Sequence, residues 1–588
     1  MFKRFSAYFL LFTLSLVPRF ISLGTIPTSL SHDEVDMIIQ AHSVRLTGRD
    51  LSGSWSPLSL LPNDALMAEL SPVINLPAFS LLPNSLFAAH ATTALLGSLY
   101  PLLIVILIIS WGMSHRLAWV TGFLIALSPW HILFSRTSLE QPTSLFFYTL
   151  SWIFLSKIFS KNNSLKVFLL STLSFIAFHS LGFYTYHGYK FSLPLLTLLL
   201  AIYNYLNSTN PKKTKILAIL LIFIASLYFR IYLNQSSYVG RQSEIIFLDK
   251  SRFAATVDQD RSLSLLPDHL NQIFVNKPLA MLKLATVKYL DTISPTQMFL
   301  TGEKNGVFST GRTGYLYTFL IPFVLIGLVG MLMSGKRIEI LLLALLATSP
   351  LATILHKNGS FAFRSAIFIV LLTIASGVGI EYLNQRYPKF KITIVALALT
   401  IISFINFSYV YFGYYPVESS RSYFFADRTL GTYLSHRSDE KILVIDPQPR
   451  YIMSYLVLAN KDIDLSTLTP LIGKYSVGEE NNVYEFGNLT IRRDCPATLK
   501  GDYDTVIADF TLVEGLGKCA PINALDSVKI PIRKIVDPKD SGVVKNIYGD
   551  RICDGLPLSR YLSLSGTSAF ALDKMSKVQF CSSWIIEN

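Results

Sequence analysis

Charge is scarce in this chain. Asp, Glu, Lys and Arg make up 15% of its 588 residues, against about 25% in a soluble globular protein. Cysteine is scarcer: there are four, and none stands before Cys495. No two are spaced as Cys-x-x-Cys, which argues against a structural zinc site. The C-terminal region holds no phosphate loop, no nucleophile elbow and no metal motif. A net charge of +13 would suit nucleic acid, but no basic DNA-reading helix is present. The first apolar run is followed by no small-residue cleavage pattern, so a membrane helix is favoured there over a signal peptide.

What the chain does have is long apolar runs. They fall at about 5–23, 86–110, 117–133, 143–160, 166–183, 190–206, 214–233, 313–334, 338–355, 364–384 and 391–412. Runs near twenty residues are long enough to cross a hydrocarbon core of roughly 30 Å. The expectation is an α-helical polytopic membrane protein with about eleven transmembrane helices. Cations cluster in alternate short loops: His115-Arg116, Lys157/Lys161/Lys166, Lys212-Lys213/Lys215, Lys336-Arg337 and Arg386/Lys389/Lys391. Basic short loops stay in the cytoplasm. That places the N-terminus inside and, with an odd number of spans, the C-terminal region outside the cell membrane.

The expected domains are therefore a transmembrane domain, 1–414, with outer loops 24–85 and 234–312, and an extracytoplasmic soluble α/β domain, 415–588. In the latter, 441–446 and 503–509 read as strands and 449–460 as a helix. All four cysteines, Cys495, Cys519, Cys553 and Cys581, lie there. An even number in an exported region points to disulfides, with neighbour pairing (Cys495 with Cys519, Cys553 with Cys581) expected among three connectivities.

Candidate site residues sit in the outer loops. Ser31-His-Asp-Glu34 fits a capping box opening a short amphipathic helix, expected to lie along the membrane surface. Asp33 and Glu34 either complement the helix N-terminus or serve as general base on an acceptor hydroxyl. Glu69 precedes the second span. Arg136 and Glu140, four apart, share a helical face in the second outer loop; they form an ion pair, or Arg136 holds a lipid phosphate while Glu140 orients it. The third outer loop carries Tyr184, Tyr186, Tyr189 and Lys190, read as an interfacial aromatic belt or as donor contacts. The loop 234–312, with Arg241, Arg252 and Asp258, is too long for a mere connector and is expected to cover the site. His356, Lys357 and Arg364 bring further cations to the outer face.

Together these features resemble the lipid-phosphate-sugar-dependent glycosyltransferases of the GT-C fold, family 39, which includes protein O-mannosyltransferases and the aminoarabinose transferase of lipid A. The resemblance rests on Arg19, Pro27, the Asp33-Glu34 pair, Thr47-Gly-Arg-Asp50 and Gly53, Glu69-x-Ser-Pro72, the Arg136/Glu140 loop, the Tyr-rich Lys190 loop and Ser294-Pro295 with Phe299-Leu300. It implies inverting transfer of a sugar, mannose by family habit, from a polyprenyl-phosphate donor to a protein, lipid or glycan acceptor. Asp33 would be the base, Glu34 its support and Arg136 the phosphate cation. His90 stands where relatives often carry Arg, and the C-terminal region has no family counterpart. No cofactor is implied; a divalent metal is not expected, although Asp33, Glu34 and Asp36 are able to bind one. Nucleic acid is not an expected partner. A lipid-glycan ligase, or a flippase or transporter, stays open, although most charges lie at span ends rather than at mid-depth.

Overall fold

The computed structural model describes residues 2–56, 67–160, 163–233, 250–356, 361–473, 483–496, 503–513 and 532–587. The chain divides into two compact units. One comprises Met1–Ser15, Gly97–Leu133 and Glu140–Ile405; the other comprises Leu16–Leu96, Phe134–Leu139 and Asn406–Asn588.

Every one of the expected apolar runs is helical. They become Phe2–Phe20, Leu86–Ser110, His115–Ala126 with Pro129–Ser135, Glu140–Ile158, Leu165–Thr185, Ser192–Asn207, Lys213–Leu233, Ile321–Ser334, Arg337–Thr348 with Leu351–Ile354, Ala366–Arg386 and Ile392–Tyr409. Among the described residues, six helices are long and apolar enough to cross a membrane, fewer than the eleven expected. His115–Ala126 and Pro129–Ser135, bent by 57°, make a seventh if they form one broken span. The break falls just before Pro129, a residue suited to the first turn of a new helix. The segments Phe5–Phe20, Ser192–Asn207 and Thr318–Ser334 are apolar but shorter. Glu140–Ile158 is long enough but opens on Glu140 and Gln141 and carries Ser and Thr along its length.

The first unit is organised around Ala366–Arg386, buried continuously from Ala366 to Gly377. Helix Ile321–Ser334 lies against it so closely that no side chain fits between the backbones. A Cβ on Gly327 would run into the Ala375 carbonyl oxygen, and one on Gly379 into that of Phe323. Between helices in lipid, small residues of this kind permit the close approach from which association draws its dispersion energy.

In the second unit the C-terminal region forms a seven-stranded sheet of order β2-β3-β1-β4-β6-β5-β7. Its strands are β1 Ile442–Ile445, β2 Tyr484–Phe486, β3 Leu489–Arg492, β4 Thr505–Asp509, β5 Ile532–Val536, β6 Val543–Tyr548 and β7 Ile586–Glu587. β1 runs parallel to β3 and β4; the remaining pairings are antiparallel. β1 and β4 are buried along their whole length, as central strands covered on both faces should be. With the helix Pro449–Leu458 after β1, these elements fall where the strand–helix alternation placed them. Cys553 and Cys581 are joined by a disulfide and buried in the core; Cys519 lies outside the described residues.

The first-loop helix, His32–Thr47, corrects the sequence reading. It is not laid on a lipid surface: Glu34 to Val44 are all buried. Val35, Ile38 and Ile39 share one core with Tyr455, Leu456 and Trp584 of the C-terminal region. Polar residues on its other faces are also engaged. Gln40 accepts from the Leu51 amide at 2.8 Å, and the Ser43 hydroxyl donates to the Arg49 carbonyl at 2.9 Å.

Replacing Gly379 with Leu is expected to destabilise the first unit by at least the roughly 1–3 kcal/mol typical of overpacking. The same change at Gly330, which faces open space, is expected to be neutral. Thermal unfolding of both variants in detergent checks the contrast.

Candidate active site

The stretch Ser31 to Asp36 concentrates three carboxylates on one helical turn and a half, and the structure uses them differently. Ser31 is the N-cap and Glu34 closes a capping box. The Glu34 carboxylate accepts from the Ser31 amide at 2.8 Å and hydroxyl at 2.9 Å, and from the Ser138 amide at 2.7 Å. His90 Nε2 lies 3.5 Å from its Oε1. Glu34 and His90 are both fully buried. Asp36 is buried too, paired with Arg450 and accepting from the Tyr451 hydroxyl at 3.2 Å. Asp33 alone of the three is exposed.

Arg136 is fully buried within the same unit. Its guanidinium donates to the Pro18 carbonyl at 2.9 Å, the Ile26 carbonyl at 2.8 Å and the Tyr411 hydroxyl at 3.1 Å. A fork spent this way fixes the end of the first helix and the turn after it. The neighbouring Ser138 hydroxyl donates to the Ala89 carbonyl at 2.9 Å, so the short segment 134–139 ties Glu34, the Leu86–Ser110 helix and the first helix end together. Glu69 is buried beside the short turn Ser71–Val73.

Below the first-loop helix sits a buried ionic cluster that the sequence reading missed. The Lys545 ammonium, on β6, lies 2.8 Å from Asp509 and 3.2 Å from Asp427, and contacts Asp446. Asp446 and Asp509 close the parallel strands β1 and β4, so both carboxylates project at the same sheet edge. Burial opposes ionisation of Asp427, but Lys545 and His32 hold its carboxyl below the usual carboxylate value. Asp446 goes the other way: burial outweighs Lys545 and raises it. Burial also opposes the Lys545 charge, yet the carboxylates raise its value well above normal.

In the other unit, Glu140 opens its helix and Gln141 beside it donates to the Tyr189 hydroxyl. Tyr184, Tyr186 and Lys190 are almost wholly buried. The Lys190 ammonium stands 5.6 Å from the Phe183 ring centre. Tyr186 packs edge-on against Phe363 at 5.3 Å, which joins the loop 184–190 to the turn carrying Arg364. Lys288, another residue the sequence reading passed over, donates to the His356 carbonyl. Burial first, then the nearby cations Arg364 and Arg252, lower the Lys288 ammonium from its usual value. Glu140, Tyr184, Tyr186, Lys190, His356 and Arg364 thus lie in the first unit, and Asp33, Glu34, Glu69 and Arg136 in the second. Arg241 and Lys357 lie outside the described residues. Among the described residues, no group of three or more His, Cys, Asp or Glu side chains is arranged to hold a metal ion.

No protein-family model and no curated protein matches the sequence. Solved structures do. ArnT from Cupriavidus metallidurans bound to undecaprenyl phosphate aligns with a TM-score of 0.52 over 92% of this chain and 98% of that one, at 10% identity. The apo form of that protein aligns at 0.47 and 9% identity, over 92% and 97%. Archaeal oligosaccharyltransferase AglB from Archaeoglobus fulgidus, in complex with an inhibitory peptide and a dolichol-phosphate, aligns at 0.43 and 11% identity, over 97% and 77%. At these identities the likeness is one of fold. The chain is a GT-C-like helical membrane protein with a C-terminal α/β domain, sharing its architecture with the undecaprenyl-phosphate-bound ArnT structure.

Replacing Lys545 with Met leaves the buried Asp446 and Asp509 and the partly buried Asp427 without their cation and is expected to cost about 3–5 kcal/mol. Linkage gives the Asp427 contribution below the unfolded carboxylate value, while the raised Asp446 acts only above it. The depressed Asp427 contributes stability that is present above its unfolded value and lost as pH falls through the folded one, so stability should decline below about pH 4. Denaturant titrations of both proteins across pH 3–7 check this.

Proposed function

We propose that the chain is a membrane glycosyltransferase that moves a sugar from a polyprenyl-phosphate donor to an acceptor hydroxyl outside the cytoplasm, with inversion at the anomeric carbon. The observation that carries the reading is the difference in exposure within the Asp33-Glu34-Val-Asp36 turn: Glu34 and Asp36 are buried, and Asp33 is at the surface. The GT-C-like fold supports it, and the undecaprenyl phosphate in the aligned ArnT structure is the chemistry of the donor envisaged here.

In this reading Asp33 takes the proton of the acceptor hydroxyl as its oxygen attacks the anomeric carbon. The bond from that carbon to the donor phosphate breaks, and the lipid phosphate leaves with the electron pair. Glu34 and Arg136 are positioning residues that hold the turn and the helix end before it. Within the first unit, a separate group of cations suits an anionic phosphate. Burial first, then repulsion from Arg364 and Arg252, lowers the Lys288 ammonium. An anion relieves that repulsion, and relieves it more as negative charge develops on the departing phosphate. Lys190, buried among aromatic rings, is a further donor ligand, with Tyr184, Tyr186, Glu140 and His356 belonging to the same unit and Glu69 to the unit that carries Asp33. Mannose is the first sugar to try; the acceptor class is open to protein, lipid and glycan.

Asp33→Asn is expected to lower transfer from a labelled polyprenyl-phosphate sugar about 10²–10⁴-fold, with donor binding and melting temperature unchanged. Full transfer by this variant would remove Asp33 from the chemistry. Lys288→Met is expected instead to weaken binding of the polyprenyl phosphate by about 1.5–3 kcal/mol, the worth of a hydrogen bond to a charged group, measured by titration in detergent.

A further inference from the structure

The residue before Asp33 is held more tightly than a surface histidine needs to be. The His32 ring lies flat between two aromatic rings of the C-terminal region: Phe424 at 3.4 Å with 14° between planes, and Tyr451 at 3.6 Å with 8°. Its Nε2 faces Asp427 Oδ2 at 3.4 Å. Asp427 is itself fixed, because its other oxygen is 3.2 Å from Lys545, which is anchored to Asp446 and Asp509. Two faces and one edge of the imidazole are therefore taken, in a slot one ring thick. A carboxylate opposite Nε2 selects the tautomer with the proton on that nitrogen and sets the ring's rotation. The groups facing the ring are Phe424 and Asp427 from one side of the slot, Tyr451 from the other, and Lys545 behind Asp427.

We propose that His32, clamped by Phe424, Tyr451 and Asp427, is a positioning residue for Asp33, so that the C-terminal domain acts directly in the chemistry rather than as a remote scaffold. This rests on the glycosyltransferase reading. Asp33 and His32 are consecutive, and the first helical turn has little freedom once the His32 ring is locked. Unlocking it lets the Asp33 carboxylate swing away from the line of proton transfer. A misplacement of about 1 Å is enough to cost 10²-fold in rate. Binding of the donor, which the clamp does not touch, should be spared.

The test uses the full-length chain in detergent or nanodiscs. His32→Ala is expected to lower kcat about 10²-fold with the donor KM within twofold, and Asp427→Asn about tenfold. Added imidazole, which enters the vacated slot but is not tethered to Asp33, should not restore activity to His32→Ala; rescue by imidazole overturns the proposal. Unchanged kcat in His32→Ala, or equal loss in kcat and donor affinity, overturns the proposal. A second measurement does not depend on activity. A nitroxide placed on Asp33→Cys should give an immobilised spectrum in the otherwise native chain and a mobile one when His32→Ala or Asp427→Asn is added. Identical spectra overturn the clamp. Should the native chain transfer no sugar while the spectra change as expected, the clamp stands and the glycosyltransferase reading fails.

Discussion

A helix that buries two carboxylates, Glu34 and Asp36, in its first turn and a half needs both answered, and the segment leading into it needs anchoring. In this chain the answers come from far away. Arg450 and Asp36 are 414 positions apart; the Tyr455 hydroxyl reaches the Leu30 carbonyl at 2.5 Å; Arg428 donates to the carbonyl of Thr28. The apolar face of the same helix, Val35, Ile38 and Ile39, completes the core on which the sheet's covering helices pack. Burying that face and satisfying those charges are one requirement, since an unpaired charge in such a core would cost several kcal/mol. The second unit exists because both are met at once.

The rest of the candidate site follows from this arrangement. Glu34 and Asp36 are buried in the fold, whereas Asp33 stands at the surface on the same helical turn, packed against the core through its neighbours. Preorganisation of this sort places a reactive group on a regular element backed by packed neighbours. The first unit solves a different problem. Its helices carry few polar groups with which to recognise one another, so they rely on close contact at Gly327 and Gly379. Its cations are collected where irregular segments cross, at the loop 184–190 and the turn carrying Arg364.

What could be read from the sequence was local. Apolar runs near twenty residues become helices because nothing else satisfies the backbone in lipid. The Ser31/Glu34 capping box is a three-residue spacing and is realised as such. β1 announces itself as an unbroken apolar string, and β4 as a short apolar run between Thr505 and Asp509. What escaped was set by partners. An amphipathic pattern in His32–Thr47 is the same whether lipid or protein covers it, and here it is protein. Lys545 and Lys288 stand alone in sequence and look like solvated charge; only the fold reveals three carboxylates around one and two arginines near the other. The bend ahead of Pro129 did carry a signal, since proline cannot continue the preceding helix, but the apolar run masks it.

The account depends most on the first-loop helix and the C-terminal sheet opening as one body. Hydrogen exchange of the full-length chain in nanodiscs measures this directly. The amides of Asp36 to Val44 should be protected to the same degree as those of Ile442 to Ile445, and both sets should lose protection together as denaturant is raised. Rapid exchange of the helix while the sheet stays protected would contradict the account.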